Sequence, residues 1–392
     1  MWMVFVKSMA LFFKLGARSL WPGADSPARL TPWRLAMMLG FLPLFFCVQL
    51  MHWTGFLLDE MFFRGYRAVR VVQPVFVVGV PRSGTTFLHR LLAMDETRFT
   101  TTALWELVFA PSVTERKFWL ALGRIDRLAG RPGGRLIGAI ERALLGKLDD
   151  IHGTGLHDPE EDYFFLVPVF ACFLLVLPFP FAEELWRLAH FDDAVPEKDR
   201  RRIMAFYRAC IQKHLYVAGP EKQYLSKNPS FTPMVQSLRA TFPGCVMIGC
   251  LRTPRKVMPS LLSSMTAGAA VFDNDPQGEA YRNRLVAMLK HYYRHLARHL
   301  PELPDHRHAF VVMNELAAAP AGTVKGLYER FGFPVTGAYA ERLAEEEARN
   351  RTYSSSHKYS LEQFGLTVEE VEAGLDFLFE RFNFEKARSA AA

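Results

Sequence analysis

The stretch VFVVGVPRSGTTFLHRLL, residues 75–92, is where chemistry first becomes legible in this chain. Gly79 and Gly84 have the spacing that opens a phosphate-binding loop, and a helix is predicted to start at Thr85. The N-terminus of a helix offers unpaired N–H groups and partial positive charge, and a glycine turn before it lets backbone amides close around an anion. Thr85 and Thr86 add hydroxyls, and Arg82 adds a forked cation that grips oxyanions. The nucleotide hydrolases carry lysine where this chain has Thr85, and no predicted strand ends in a metal-binding aspartate. The loop should therefore hold a phosphate without hydrolysing a triphosphate. A P-loop kinase or NTPase, and a non-catalytic membrane protein that keeps a nucleotide fold, are the competing readings.

A second constellation lies in LRTPRKVMPS, which places Arg252 at a strand end and Ser260 eight residues later on the next helix. A strand-end guanidinium and a hydroxyl one to two turns into a helix can converge on one phosphate. Two phosphate sites on one sheet imply a ligand with phosphates at both ends.

In these motifs the chain resembles the sulfotransferases that use 3′-phosphoadenosine 5′-phosphosulfate (PAPS). GVPRSGTTFLHRLL is similar to their 5′-phosphosulfate loop and LRTPRKVMPSLLSS to their 3′-phosphate motif; YLSKNP and VVMNELAAAPAGTVKGLYERFGFP resemble further segments. The resemblance spans roughly residues 72–385 and is nearest to the bacterial branch related to the tyrosylprotein and Golgi-type enzymes. It implies that Arg82, Ser83, Gly84, Thr85 and Thr86 hold the 5′-phosphosulfate, and that Arg252 and Ser260 hold the 3′-phosphate. It also implies that Lys227 stabilises charge on the leaving phosphate. The base it implies is a glutamate shortly after the first helix, a place that Glu106 fits, with Trp105 and Leu107 to desolvate it; His157, Glu160, Glu161 and His357 are rivals. A late loop containing Ser356, His357 and Lys358 would cover the nucleotide. The implied reaction moves a sulfuryl group from PAPS to an acceptor hydroxyl. No metal is needed for it, because Arg82, Lys227 and the helix N-terminus supply the positive field.

The elements that must position these residues alternate. Buried strands are predicted at 74–80, 224–229, 245–254 and 308–316, and helices at 85–94, 197–217, 255–266, 281–300 and 320–331. That alternation gives an α/β, P-loop-like three-layer fold with a central parallel sheet flanked by helices. Ahead of it, residues 35–58 carry no Asp, Glu, Lys or Arg and are long enough to cross a membrane, but Pro43, Gln49 and His52 interrupt them. Basic residues flank both sides, so a segment lying in the interface competes with a span. The expected division is a hydrophobic, membrane-associated helical segment at 1–70 and a catalytic domain at 71–392, on the cytoplasmic side of the membrane. The uncharged, proline-broken block 163–182 is either core or the wall of an apolar acceptor pocket. Five scattered cysteines, with no zinc-spaced partners near them, suit a reducing compartment. The net charge of +7 suits an anionic partner, and its dispersal along the chain argues against nucleic acid.

Overall fold

All five residues of Val75–Gly79 (β1) are buried, as a strand covered by helices on both faces requires. A computed structural model of the chain describes residues 2–23, 26–145, 155–274, 278–350, 360–382 and 384. The other strands are β2 (Phe99–Thr100), β3 (Gln223–Lys227), β4 (Val246–Leu251) and β5 (His308–Val312). They pair in parallel in the order β2-β3-β1-β4-β5. The helices used below are α1 (Trp2–Leu20), α2 (Pro32–Phe62), α3 (Thr85–Ala93), α4 (Leu104–Phe109), α5 (Val113–Leu128) and α6 (Pro132–Leu145). They continue with α7 (Glu197–Ala218), α8 (Val235–Thr241), α9 (Pro254–Val271), α10 (Glu279–His299), α11 (Met313–Ala318) and α12 (Pro320–Phe331).

Alternation along β1 splits the core. Val75 and Val77 pack with Leu88, Leu91 and Val324 on one side of the sheet, while Phe76 and Val78 join the larger core on the other. The expected α/β architecture is present. Element bounds differ in detail from the sequence reading: β3 and β4 end two and three residues earlier, and the helix expected at 255–266 runs on to Val271. A two-residue edge strand, β2, was not foreseen, and β5 stops at Val312 because the chain turns helical at Met313. Asn314 and Glu315 therefore lie on α11, not on a strand.

Register decides what meets at the C-terminal edge. Val77 pairs with Lys227 and Gly79 with Cys250, so the ends of β1, β3 and β4 come level. β1 lies where the strand order reverses, the place where open α/β sheets bind ligands.

Residues 163–182 form no regular helix. Two 3₁₀ segments, Asp162–Val169 and Phe173–Val176, are separated by turns, and Pro168, Pro178 and Pro180 supply no backbone donors. Four polar residues of α2 face the protein: Arg34, Gln49, His52 and Asp59 are all buried. Asp59 accepts from the Val113 and Thr114 amides at the start of α5 (3.0 and 2.8 Å) and from Lys213 Nζ (2.6 Å). His52 Nδ1 lies 2.7 Å from Glu115. Arg34 bonds Asn274 and the Pro178 carbonyl. Both ends of α2 are thus fastened to the same body.

Gly79 adopts φ 143°, and a Cβ there would lie 2.3 Å from the Cys250 carbonyl oxygen. Its backbone also exchanges two hydrogen bonds with the Thr232 hydroxyl, of 2.9 and 2.6 Å. Gly79→Ala combines strained backbone with a clash against a central strand, and is expected to cost about 3 kcal/mol or more. A thermal melt checks this; an unchanged Tm would show that β1 and β4 can separate to admit a methyl group.

Candidate active site

The loop after β1 is shaped by two left-handed residues, Arg82 at φ 63° and Gly84 at φ 88°. A non-glycine residue held there is the kind of strain that marks functional turns, and successive amides in such a turn form a concave anion nest. Gly84 caps α3 without a side-chain hydrogen bond, so the first-turn amides have no capping acceptor. A Cβ on Gly84 would meet Met313 Sδ at 2.2 Å. The Ser83 hydroxyl is buried and donates to the Val80 carbonyl (2.6 Å), leaving its backbone as the part able to meet a ligand. Thr85 is buried and Thr86 exposed.

The two motifs separated by about 170 residues meet. Arg82 Nε donates to Ser260 Oγ at 3.0 Å, and Arg252 Nη1 donates to the Arg82 carbonyl at 3.2 Å. Tyr293 on α10 donates to the Arg252 carbonyl and fixes the end of β4. Burial and the neighbouring Arg82 guanidinium push Arg252 below its ordinary pKa. Among the described residues no carboxylate lies within ion-pair distance of Arg82 or Arg252. Two guanidiniums facing each other beside a helix N-terminus call for an anion.

Lys227, at the end of β3, is buried. Its Nζ lies 3.1 Å from Glu161, 3.2 Å from Glu160 and 3.3 Å from Thr86 Oγ1. Burial opposes the ammonium, but Glu161 and Glu160 outweigh it and raise its pKa. Burial raises Glu161, against the pull of Lys227. Asp162 anchors this acidic pair. Its carboxylate accepts from Tyr207 on α7 and from Tyr224 and Ser226 on β3, the last two at 3.0 Å, and burial raises its pKa to about 6.

Glu106 sits in the first turn of α4. One oxygen accepts from the Ala103 amide (2.9 Å), and the other lies 3.5 Å from Arg116 Nε. Arg116 in turn donates to His214 Nδ1 (2.8 Å), and His214 Nε2 lies 2.8 Å from Thr100 Oγ1. His157 is exposed beside Trp105. Ser356, His357 and Lys358 lie outside the described residues. Sequence reasoning named Glu160 and Glu161 only as rival bases and missed Asp162 and Arg116. The acidic run DPEED was a signal for the first three; nothing in the spacing marks Arg116.

An apolar cavity of about 300 Å³ adjoins α4. Its walls include Phe41, Phe45 and His52 of α2, Leu107 and Val108 of α4, and Phe164 from the proline-broken block. Leu107 and Val108 directly follow Glu106 on α4, so one short helix carries both a wall of the cavity and the glutamate.

The profile described as "Sulfotransferase family" matches residues 74–337. An omega-hydroxy-beta-dihydromenaquinone-9 sulfotransferase, Stf3, from Mycobacterium bovis is 24% identical over 323 residues, 80% of this chain and 76% of its own. The Mycobacterium tuberculosis protein of the same name matches equally. The crystal structure of sulfotransferase STF9 from Mycobacterium avium superposes with a TM-score of 0.74 at 18% identity, covering 97% of this chain and 92% of that one. Sulfotransferase STF1 from Mycobacterium tuberculosis gives 0.66 at 19%, covering 93% and 91%. The profile covers about two thirds of the 392 residues and takes in both basic motifs, and the chain belongs to the sulfotransferase family.

Proposed function

We propose that this enzyme transfers the sulfuryl group of PAPS to the hydroxyl of an apolar, membrane-derived acceptor. The observation that carries the donor assignment is the meeting of Arg82, Arg252 and Ser260 beside the start of α3, with Lys227 level with them at the next strand end. In this reading Arg252 and Ser260 take the 3′-phosphate, and the Arg82–Thr86 loop takes the 5′-phosphosulfate. The acceptor oxygen attacks sulfur as the bond from sulfur to the phosphate oxygen breaks, and the hydroxyl proton passes to Glu106. Lys227 and Arg82 meet the charge that develops on the departing phosphate. The products are a sulfate ester and adenosine 3′,5′-bisphosphate.

The acceptor class rests on the cavity between α2 and α4. Its lining is almost wholly apolar, and α4, which carries the glutamate proposed as base, supplies part of its wall. The mycobacterial relatives, named for a hydroxylated dihydromenaquinone, fit such a pocket. Residues 1–70 form the membrane-facing part in this reading, and 71–392 the catalytic part. Trp2, Phe13, Trp33, Leu39, Leu44 and Leu57 of α1 and α2 are exposed, while Arg34, His52 and Asp59 of α2 are bonded inward. A helix tied at both ends to one body suits the membrane interface better than a span.

Incubation with PAPS labelled in its sulfuryl group and a membrane-lipid extract should move label into the lipid fraction. Arg82→Ala should lower kcat/KM by about 10²–10³. Label appearing only in glycans or small phenols would overturn the acceptor class, and hydrolysis of ATP with magnesium in place of transfer would overturn the donor. Glu106→Gln should lower kcat by about 10²–10⁴ with bisphosphate affinity unchanged. If Glu161→Gln produces the larger fall instead, the base is Glu161. Leu39→Glu with Leu44→Glu should release the enzyme from anionic phospholipid vesicles in a flotation assay; undiminished flotation would place the membrane contact elsewhere.

A further inference from the structure

A cluster of imidazoles and carboxylates stands away from the phosphate loop. His291 and His295 are four residues apart on α10 and so share a face, a spacing by which one helix can present two nitrogens to one ion. Facing them is the one-turn helix Phe191–Ala194, which carries Asp193. One ring nitrogen of each histidine and a carboxylate oxygen of Asp193 all lie within 4.8 Å of one another. His291 Nε2 is 3.7 Å from Asp193 Oδ2. The His190 ring packs against that of His291, with 4.1 Å between centroids.

The second observation is that neither Nε2 is satisfied. Both are buried, and neither has a hydrogen-bond partner; the His295 side chain is only 1% exposed. Buried polar atoms are almost always paired, so two orphans within one cluster need an explanation. Asp192 does not provide it. It comes within 3.4 Å of His295 without hydrogen-bond geometry, and its oxygens already accept from the Gln236 amide and from the amide and hydroxyl of Ser237.

We propose that Asp193, His291 and His295 form a binding site for a divalent transition-metal ion of the zinc class. Two imidazole nitrogens favour zinc, cobalt or nickel over magnesium or calcium, which prefer all-oxygen shells. Donors in a tetrahedral zinc site stand about 3.3 Å apart, so the cluster needs only a small contraction. Three protein ligands leave the fourth position to water, on the exposed side of Asp193. The ion would clamp the 191–194 turn to α10. Because Tyr293 on the same helix holds the end of β4, the clamp would brace the donor site from behind without taking part in the reaction.

The test uses the full chain, free of any affinity tag and stripped with chelator, then titrated with cobalt(II) and challenged with zinc. One equivalent of cobalt should give visible d–d absorption that zinc abolishes, and zinc should raise the Tm by several degrees. His295→Ala and His291→Ala should weaken binding by at least about 100-fold. Asp193→Asn, at a largely exposed position that should not disturb folding, should also weaken it. Absence of the cobalt signal, or equal affinity in wild type and in the Asp193→Asn and His291→Ala variants, would overturn the site.

Discussion

A carboxylate with no access to water, held by three hydroxyls, ties the two sides of the site together. Asp162 receives Tyr207, Tyr224 and Ser226, and so stitches an otherwise irregular segment to α7 and to β3. Burying a carboxylate is costly unless its oxygens are satisfied, so the segment has one stable position. From it, Glu160 and Glu161 reach Lys227, and the preceding residues bond back to α4: Leu104 and Trp105 donate to the Asp158 and Leu156 carbonyls, and the Glu160 amide to Thr102. One buried group thus fixes where the acidic pair meets Lys227, and the same segment bonds to the start of α4, which carries Glu106.

Charge is distributed unevenly around that anchor. Lys227 is balanced by two glutamates, whereas Arg82 and Arg252 face each other without a carboxylate among the described residues. A protein bears such like-charge crowding when an anion relieves it in the working state. The parallel sheet makes the arrangement cheap, since register alone brings three strand ends level and one helix N-terminus beside them. The apolar cavity on the α2 side supplies the opposite environment within a few residues of Glu106. The proposed transfer, from a charged nucleotide to an apolar acceptor, would use both.

The N-terminal helices illustrate how composition can mislead. Pro43, Gln49 and His52 read as interruptions of an apolar run. In the structure Gln49 and His52 are the side of α2 that meets the protein, and Pro43 is carried inside an unbroken helix. The exposed leucines form the other side.

Much of the fold was legible because local physics specifies it. All-apolar runs bounded by turns gave four of the five strands, and 3.6-residue periodicity gave the major helices. Gly79, Gly84, Arg82 and Arg252 marked the candidate phosphate loop and its partner, because a tight turn and a strand-end cation leave a signature within a few residues. What spacing could not contain was contact between distant segments. Two-residue β2 has too little pattern to read, and the helix start at Met313 looks apolar in sequence. The partners of Lys227 lie more than 60 residues away, Arg116 meets His214 across 98 residues, and Asp193 meets His291 only where a one-turn helix docks on α10. Sequence determined which groups could bind phosphate, since residue type and local turn geometry are enough for that. Only tertiary packing decided which carboxylate stands by the lysine, which face of α2 is dry, and which histidines share a point in space.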